Sequence, residues 1–298
     1  MDRQFILHMF TPGRQMSPFD VNMAVDAGYQ VVVPYAEVGA DNVAAMTQDA
    51  IFSRGPKGTA FTGIFIGGRD VVLASDMLDA ARKAMVPPFE VSVFADPSGS
   101  YTTAAALVAC VSRQLQKAHS TDFNGKRVLV LGGTGAVGRI AGVLAAQLGA
   151  TVTLASQSIE RACNAAVETG RRFAVSLNAA ASATPADRQS ALAQADVVFA
   201  TAAAGAQVMN ESDVAAAGAL LVAADVNAVP PAGIAGVGVF DDGKAFGGKK
   251  AVGIGALAIG NVKYQVQHRM FVRMRETKKP VYLGISEALA TAREVVAG

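Results

Sequence analysis

From residue 5 to about residue 118 the chain alternates short apolar runs with segments whose apolar residues recur at helical spacing. Phe5 to Phe10, Gln30 to Pro34, Gly63 to Gly68 and Glu90 to Phe94 have the length and β-branched content of buried strands. Between them, Ser17-Pro18-Phe19-Asp20 opens a helix to about Ala27. Gly39 to Asp49 follows as a helix capped near Asp41, and Asp70 starts one that runs to Met85, where Pro87-Pro88 stops it. An alanine-rich helix from about Thr102 to Ala118 leads into His119-Ser120-Thr121-Asp122, a linker. The alternation predicts an α/β domain over residues 1–120.

A second α/β set begins at Lys126. Arg127 to Leu131 is a strand, a helical pattern runs to Leu148, and Ala150 to Ala155 is the next strand. Ile159 to Thr169 reads as a helix and Phe173 to Leu177 as a third strand. After a Ser/Ala-rich connection, a helix over 186–193 precedes strand 195–200, and the last strand of the set is 219–223. Gly233 to Gly260 is glycine-rich with interleaved apolar residues, which requires close packing. Ser286 to Val296 forms an amphipathic C-terminal helix. The pattern predicts a Rossmann-type parallel-sheet domain over 121–268, with residues 269–298 returning to the first domain because the six-strand set is then complete.

The junction of the first strand and helix of this second set carries Gly133-Thr134-Gly135-Ala136-Val137-Gly138. A G-x-G-x-x-G alone is weak, but between a strand and a helix inside a βαβ unit it marks a dinucleotide site. In this reading Gly133 permits the tight turn, Gly135 lets backbone approach a pyrophosphate, and Gly138 lets the helix pack on the strand. The helix start offers amide N–H groups and partial positive charge. NAD-specific sites place a carboxylate at the end of the second strand. Here that place holds Ser156-Gln157-Ser158, with Arg161 one turn later. No carboxylate repels a 2′-phosphate, so the site is read as able to take NADP as well as NAD. Ser158 is equally a helix cap. Thr201 and Ala202, small residues after the fourth strand, are placed against the nicotinamide half. Asp225 and Asn227, after the fifth, either hold its carboxamide or organise the turn into Pro230.

Composition narrows the class. Of 298 residues, 51% are apolar and 17% charged, which excludes a disordered chain. A net charge of +2 without a basic run gives no reason for a nucleic-acid surface. Two cysteines, Cys110 and Cys163, and three histidines show no metal spacing, so no metal is expected. A polar start and the lack of a long apolar run point to a cytoplasmic protein with no membrane partner.

In the first domain, Asp96-Pro97-Ser98-Gly99-Ser100-Tyr101-Thr102-Thr103 stands at the carboxyl end of a strand, where α/β ligands bind. Asp96, Ser98, Gly99, Ser100, Thr102 and Thr103 are therefore candidate substrate contacts, with a Ser/Thr-rich helix cap as the alternative. No nucleophile–base pair or paired-carboxylate motif is present. The chemistry is assigned to the cofactor, which points to hydride transfer. Lys263, after Gly260 at a helix start, is the candidate catalytic side chain; a surface lysine is the competing reading.

These residues resemble the bacterial NAD(P)-dependent methylene-tetrahydromethanopterin dehydrogenases of methylotrophs, essentially end to end. The resemblance is carried by Ser17 to Val21, Asp41-Asn42-Val43, Ile64 to Gly68, Asp96 to Ala106, the glycine loop, Ala224-Asp225-Val226-Asn227, Pro230 to Ile234 and Phe246-Gly247-Gly248-Lys249. It implies oxidation of methylene-tetrahydromethanopterin to the methenyl cation with hydride passing to NAD(P)⁺, a step of formaldehyde oxidation. It also implies a homo-oligomer (trimer or hexamer), a pterin substrate in a cleft between the domains, and, through Gly-x-x-Lys, Lys263 as the active-site lysine. A strictly NADP-dependent sibling branch keeps an arginine after its second cofactor strand. Ser156-Gln157-Ser158 here favours the branch that accepts both cofactors. Three other readings stay open: the same chemistry on methylene-tetrahydrofolate, a non-catalytic NADP-binding regulator, and a dehydrogenase of the shikimate or glutamyl-tRNA reductase type.

Overall fold

The computed structural model describes residues 3–248 and 250–298; Lys249 of the glycine-rich stretch lies outside the described residues. The chain divides into two compact units. Unit 1 comprises Met1–Thr102 and Tyr264–Thr291, and unit 2 comprises Thr103–Lys263 and Ala292–Gly298. The sequence puts the joints near residues 120 and 268, and the C-terminal return at 269–298. In the structure the three divisions each fall inside a continuous helix, Ser100–His119, Ala256–Glu276 and Ile285–Ala297, and the last seven residues group with unit 2.

Unit 1 is built from β1 (Ile6–Phe10), α1 (Pro18–Asp26), β2 (Val31–Tyr35), α2 (Val43–Phe52), α3 (Pro56–Thr59), β3 (Thr62–Ile66), α4 (Val71–Lys83) and β4 (Ser92–Ala95). Its parallel sheet has the order β12-β4-β3-β1-β2, where β12 is Tyr282–Leu283 beside Val93 and Phe94. Every residue of β3 and of β4 is buried, as expected for central parallel strands covered on both faces. Helix α2 begins at Val43, not at the expected Gly39. Asn42, rather than Asp41, is the residue at its N-cap; its side chain makes no capping bond to the helix and instead accepts from Gly39 N of the preceding turn at 2.8 Å.

The core of unit 1 is aromatic. Phe65, Phe94 and Phe271 are fully buried, with ring centroids 5.1–5.3 Å apart. Phe271 comes from α10 (Ala256–Glu276), so this late helix completes a core begun two hundred residues earlier. The same helix supplies Gln267, whose Nε2 donates to Asp20 Oδ1 of α1 at 2.8 Å, both side chains buried.

Unit 2 follows α5 (Ser100–His119) with β5 (Arg127–Leu131), α6 (Ala136–Gln147), β6 (Thr151–Ser156), α7 (Ile159–Phe173), β7 (Asn178–Ala181), α8 (Pro185–Leu192), β8 (Val197–Ala200), α9 (Glu211–Ala216), β9 (Val222–Asp225), β10 (Asp242–Ala245) and β11 (Val252–Ile254). Helix α11 (Ile285–Ala297) ends the chain. The sheet order is β10-β11-β9-β8-β5-β6-β7, parallel except for β10. Read in chain order without β10, that is the 3-2-1-4-5-6 arrangement of dinucleotide-binding domains.

Two strands lie elsewhere than the sequence predicts. Phe173 ends α7 instead of opening a strand, because Ala174 takes the left-handed conformation (φ 53°) that closes the helix, and the strand is the small-residue run Asn178–Ala181. The expected 219–223 strand lies at Val222–Asp225, which makes Asp225 its last residue. The glycine-rich stretch contains the β10–β11 pair.

Removing the donor to Asp20 leaves a buried carboxylate short of one hydrogen bond. Gln267→Leu should cost about 1.5–3 kcal/mol and lower the melting temperature by several degrees. Calorimetry checks this, and an unchanged transition would show that the contact carries no stability.

Candidate functional site: a dinucleotide pocket in unit 2

The first strand of unit 2 ends at a loop in which three glycines are set by three different constraints. Gly132 has φ +79°, and a Cβ there would stand 2.6 Å from Ala202 N and 2.7 Å from Ala202 Cα. The tight turn thus falls on Gly132, one residue before the Gly133 expected from the motif. Gly133 instead packs on β6, where a Cβ would meet Leu154 Cα at 2.9 Å. At Gly138 a Cβ would meet Thr201 Oγ1 at 2.6 Å and Gly132 O at 2.9 Å, so the first turn of α6 lies directly on the β5 and β8 ends. Gly135 differs from all three. Its nearest neighbours would be Gly132 O at 3.4 Å and Thr201 O at 3.7 Å, and the residue is exposed. The protein has room for a side chain at Gly135, and the space it would fill opens on the pocket.

Thr201 locks this arrangement. Its amide donates to Leu131 O at 2.8 Å, and its hydroxyl lies 3.1 Å from Leu131 O and 3.3 Å from Gly132 O. Helix α6 begins at Ala136 with no side-chain cap. Its leading amides, Ala136, Val137 and Gly138, have no acceptor within the helix, which is the condition for anion binding at a helix start.

The pocket over these strand ends has a volume of about 520 Å³. It brings together Thr134, Gly135, Ser156, Gln157, Arg161, Thr201 and Ala202 of the residues singled out in the sequence. Ser158 is not in its lining. It caps α7, its Oγ accepting from Arg161 N at 3.2 Å. Asp225 and Asn227 are also outside the lining and hold the turn after β9. Asp225 accepts from Asn227 N at 2.9 Å and Ile234 N at 3.2 Å. Asn227 Oδ1 accepts from Gly205 N and Val229 N at 3.0 Å, and its Nδ2 donates to Pro231 O at 2.8 Å. Burial pushes the Asp225 carboxyl above its usual range, against the downward pull of the Asn227, Ile234 and Gly233 backbone donors.

Sequence reasoning missed the outer wall of the pocket: Ser182, Arg188, Asn210 and Asp213. Arg188 reads in the sequence as one more charged residue in the first turn of a short helix. The only local signals are the Thr184–Asp187 and Asn210–Asp213 capping boxes, which fix the starts of α8 and α9.

At the carboxyl end of β4, Asp96 to Thr103 runs through a 3-10 turn (Pro97–Gly99) into α5. Asp96 Oδ1 accepts from Tyr101 N at 2.9 Å and Thr102 N at 3.2 Å, and Thr102 Oγ1 donates to Oδ2 at 2.6 Å. Ser100 Oγ donates to Pro97 O at 2.7 Å. Asp96, Gly99, Ser100 and Thr102 are buried and shape the turn; Ser98 is exposed, in the left-handed region at φ 52°, and Thr103 is half-buried. Lys263 is half-buried, two turns into α10. No cluster of three or more potential metal ligands occurs among the described residues.

These surroundings separate two alanine substitutions. Gly135→Ala should leave stability within about 1 kcal/mol of the parent, since its neighbours stand at ordinary contact distance, yet it should weaken dinucleotide binding at least about tenfold by filling the cradle. Gly132→Ala places a side chain against backbone at positive φ and should lower the melting temperature outright. Melting curves and a fluorescence titration with NADPH distinguish them, and equal behaviour of the two variants would refute the assigned roles.

A sequence profile described as methylene-tetrahydromethanopterin dehydrogenase, N-terminal, matches residues 18–98. The NAD(P)-dependent methylenetetrahydromethanopterin dehydrogenase of Methylorubrum extorquens is 48% identical over 291 residues, 97% of this chain and 98% of that protein. The bifunctional protein MdtA of the same organism is 36% identical over 277 residues, 93% of this chain and 94% of that one. Among solved structures, ligand-free 5-ketofructose reductase of a Gluconobacter strain gives a TM-score of 0.53 at 19% identity, over 98% of this chain and 99% of that one. Quinate dehydrogenase from Corynebacterium glutamicum, solved with NAD, gives 0.53 at 13% identity, over 97% and 98%. At such identities these two structures speak for the fold alone, a Rossmann-type dehydrogenase architecture. With nearly half its residues shared along almost its whole length, this chain belongs to the family of NAD(P)-dependent methylenetetrahydromethanopterin dehydrogenases.

Proposed function

We propose that this protein oxidises methylene-tetrahydromethanopterin to the methenyl form and passes the hydride to NAD⁺ or NADP⁺, in one-carbon oxidation from formaldehyde. The observation that carries the reading is the end-to-end relationship to the Methylorubrum enzyme of that name. The glycine loop supports it independently: the open space at Gly135 suits a pyrophosphate, and the first turn of α6 supplies amide donors.

The cofactor, when bound, supplies the hydride acceptor. The methenyl product is a stabilised cation, and no proton leaves with the hydride. The protein therefore needs no general base for this step, only positioning of the two reactants and control of charge around them. This suits a chain without a nucleophile–base motif. The residues proposed to hold the dinucleotide are Gly133 to Gly138 at the phosphates, Ser156, Gln157 and Arg161 at the adenosine ribose, with Ser158 fixing the start of the helix that carries Arg161, and Thr201 and Ala202 beside the nicotinamide half. Asp225 and Asn227 support that half by fixing the loop after β9. For the pterin we propose Ser98 and Thr103 as the outward-facing members of the Asp96 to Thr103 turn, with Asp96, Gly99, Ser100 and Thr102 holding its shape. Lys263 is the proposed catalytic residue, a three-donor group suited to the carbonyl-bearing edge of a pterin.

No helix among the described residues is long and apolar enough to cross a membrane. The proposal includes a cytoplasmic location and a homo-oligomer of three or six chains, for which light scattering should give three or six times the single-chain mass.

Absorbance at the reduced-nicotinamide band is the direct test. Purified protein should reduce both NAD⁺ and NADP⁺ with methylene-tetrahydromethanopterin, and Lys263→Ala should lower kcat about a hundredfold, roughly 2.7 kcal/mol, with NADPH affinity unchanged. Turnover only with methylene-tetrahydrofolate would replace the substrate, and cofactor binding without any turnover would point to a regulator.

A further inference from the structure

The outer wall of the unit 2 pocket carries an ion pair between Arg188 and Asp213. Arg188 extends from the first turn of α8, where the Thr184–Asp187 capping box fixes the backbone. Its Nε donates to Asp213 Oδ2 at 3.1 Å, and its Nη1 reaches Ala183 O only at 3.5 Å. Asp213 is 1% exposed, and its Oδ2 also accepts from Asn210 N at 3.1 Å. Its Oδ1 is buried with no hydrogen-bond partner. The pair is thus one-sided: a single carboxylate oxygen grips the guanidinium by its inner nitrogen instead of the two-pronged contact that two facing groups usually adopt.

The partners of this pair share the pocket with Arg161, Ser156 and Ser182. Strand order separates the two ends of that pocket. The phosphate cradle lies at the end of β5, whereas Ser156 ends β6 and Ser182 follows β7, the next two strands outward. That outward direction is where adenosine lies in this architecture, its 2′-position at the end of the second strand. The charged residues lining the pocket are Arg161, Arg188 and Asp213, two positive and one negative, which leaves one net positive charge.

We propose that Arg188, held in place by Asp213, is a specificity-determining residue for the adenosine 2′-phosphate, acting with Arg161 as a two-arginine site. The inference rests on the dinucleotide reading of this pocket. Asp213 is a positioning residue: it holds Arg188 by Nε and leaves Nη2 for a phosphate, with Nη1 held only by the long contact to Ala183 O. It also offsets one of the two positive charges. A partly neutralised site of this kind favours a phosphorylated ribose without excluding a bare one, which gives dual cofactor use a physical basis.

The test uses the full-length protein and two adenosine halves, adenosine 2′,5′-bisphosphate and 5′-AMP, titrated by calorimetry. The parent protein should bind the bisphosphate at least about tenfold more tightly than 5′-AMP. Arg188→Gln should reduce that ratio to about twofold or less, by weakening the bisphosphate and not 5′-AMP. Arg188→Lys keeps the charge and the link to Asp213 but loses the fork, so its ratio should lie between the two. It also serves as the readout should the glutamine variant fail to melt cooperatively. Equal weakening of both ligands would assign Arg188 to the base or to the fold and overturn the proposal, as would an unchanged ratio in either variant. A parent protein that binds neither ligand would sink the dinucleotide reading itself. Normal nucleotide binding with no turnover of the pterin would sink the substrate reading and leave this inference standing.

Discussion

The unit 2 site depends on a contact between two backbone segments that leaves no room for a side chain. The loops leaving β5 and β8 meet where Gly132 faces Thr201 and Ala202, and Thr201 bonds back to Leu131 and Gly132 through both its amide and its hydroxyl. This is the switch point of the sheet, since β5 has β6 on one side and β8 on the other. Connections diverge there, so a crevice opens above the strand ends. Gly138 lets α6 settle against the same two loops. Close approach at Gly132, Gly133 and Gly138 and open space at Gly135 are two aspects of one construction: the scaffold tightens around the position at which a ligand's phosphates can approach backbone.

The electrostatics of the pocket follow from the same economy of groups. No acid stands at the end of β6, and Ser156, Gln157 and Arg161 occupy its edge. The one acid in the lining, Asp213, is turned toward Arg188. Its burial makes it a fixed holder of the arginine, while the exposed Arg161 stays adjustable. Under the proposed dinucleotide reading, such a wall would take either a hydroxyl or a phosphate on the ribose. The polar residues after β9 do a different task. Asp225 and Asn227 commit their side chains to backbone groups, those of Asn227, Val229, Pro231 and Ile234 in the loop that follows and Gly205 N after β8, so they set the shape of that loop.

Unit 1 shows the same division between shaping and presenting groups. Asp96 gathers the amides of Tyr101 and Thr102 and the Thr102 hydroxyl, and so caps the 20-residue helix α5 where it leaves the carboxyl end of β4. A buried carboxylate with several donors is well compensated. Ser98 stays exposed beside it, its Oγ donating to Gly68 O at 2.8 Å. The aromatic core below is completed by Phe271, which anchors α10 in unit 1.

Much of this was legible in the sequence. The β/α alternation, the parallel character of the strands and the glycine loop are local signals, because burial on both faces demands continuous apolar runs and tight turns demand glycine. The absence of an acid after β6 was also visible. The third strand of unit 2 is not legible, because Asn178–Ala181 has no strand-like pattern and pairs as a strand beside β6. The motif points to Gly133 and the turn falls on Gly132, because spacing does not specify φ. Arg188 and Asp213 are 25 residues apart, and no local rule links them. The sequence by itself determined which segments are buried and where the backbone is bare of side chains at the end of β5, since both follow from side chains or their absence at single positions. Only the tertiary structure decided which polar residues face the pocket and which hold the loops, because that depends on partners brought together by the sheet order.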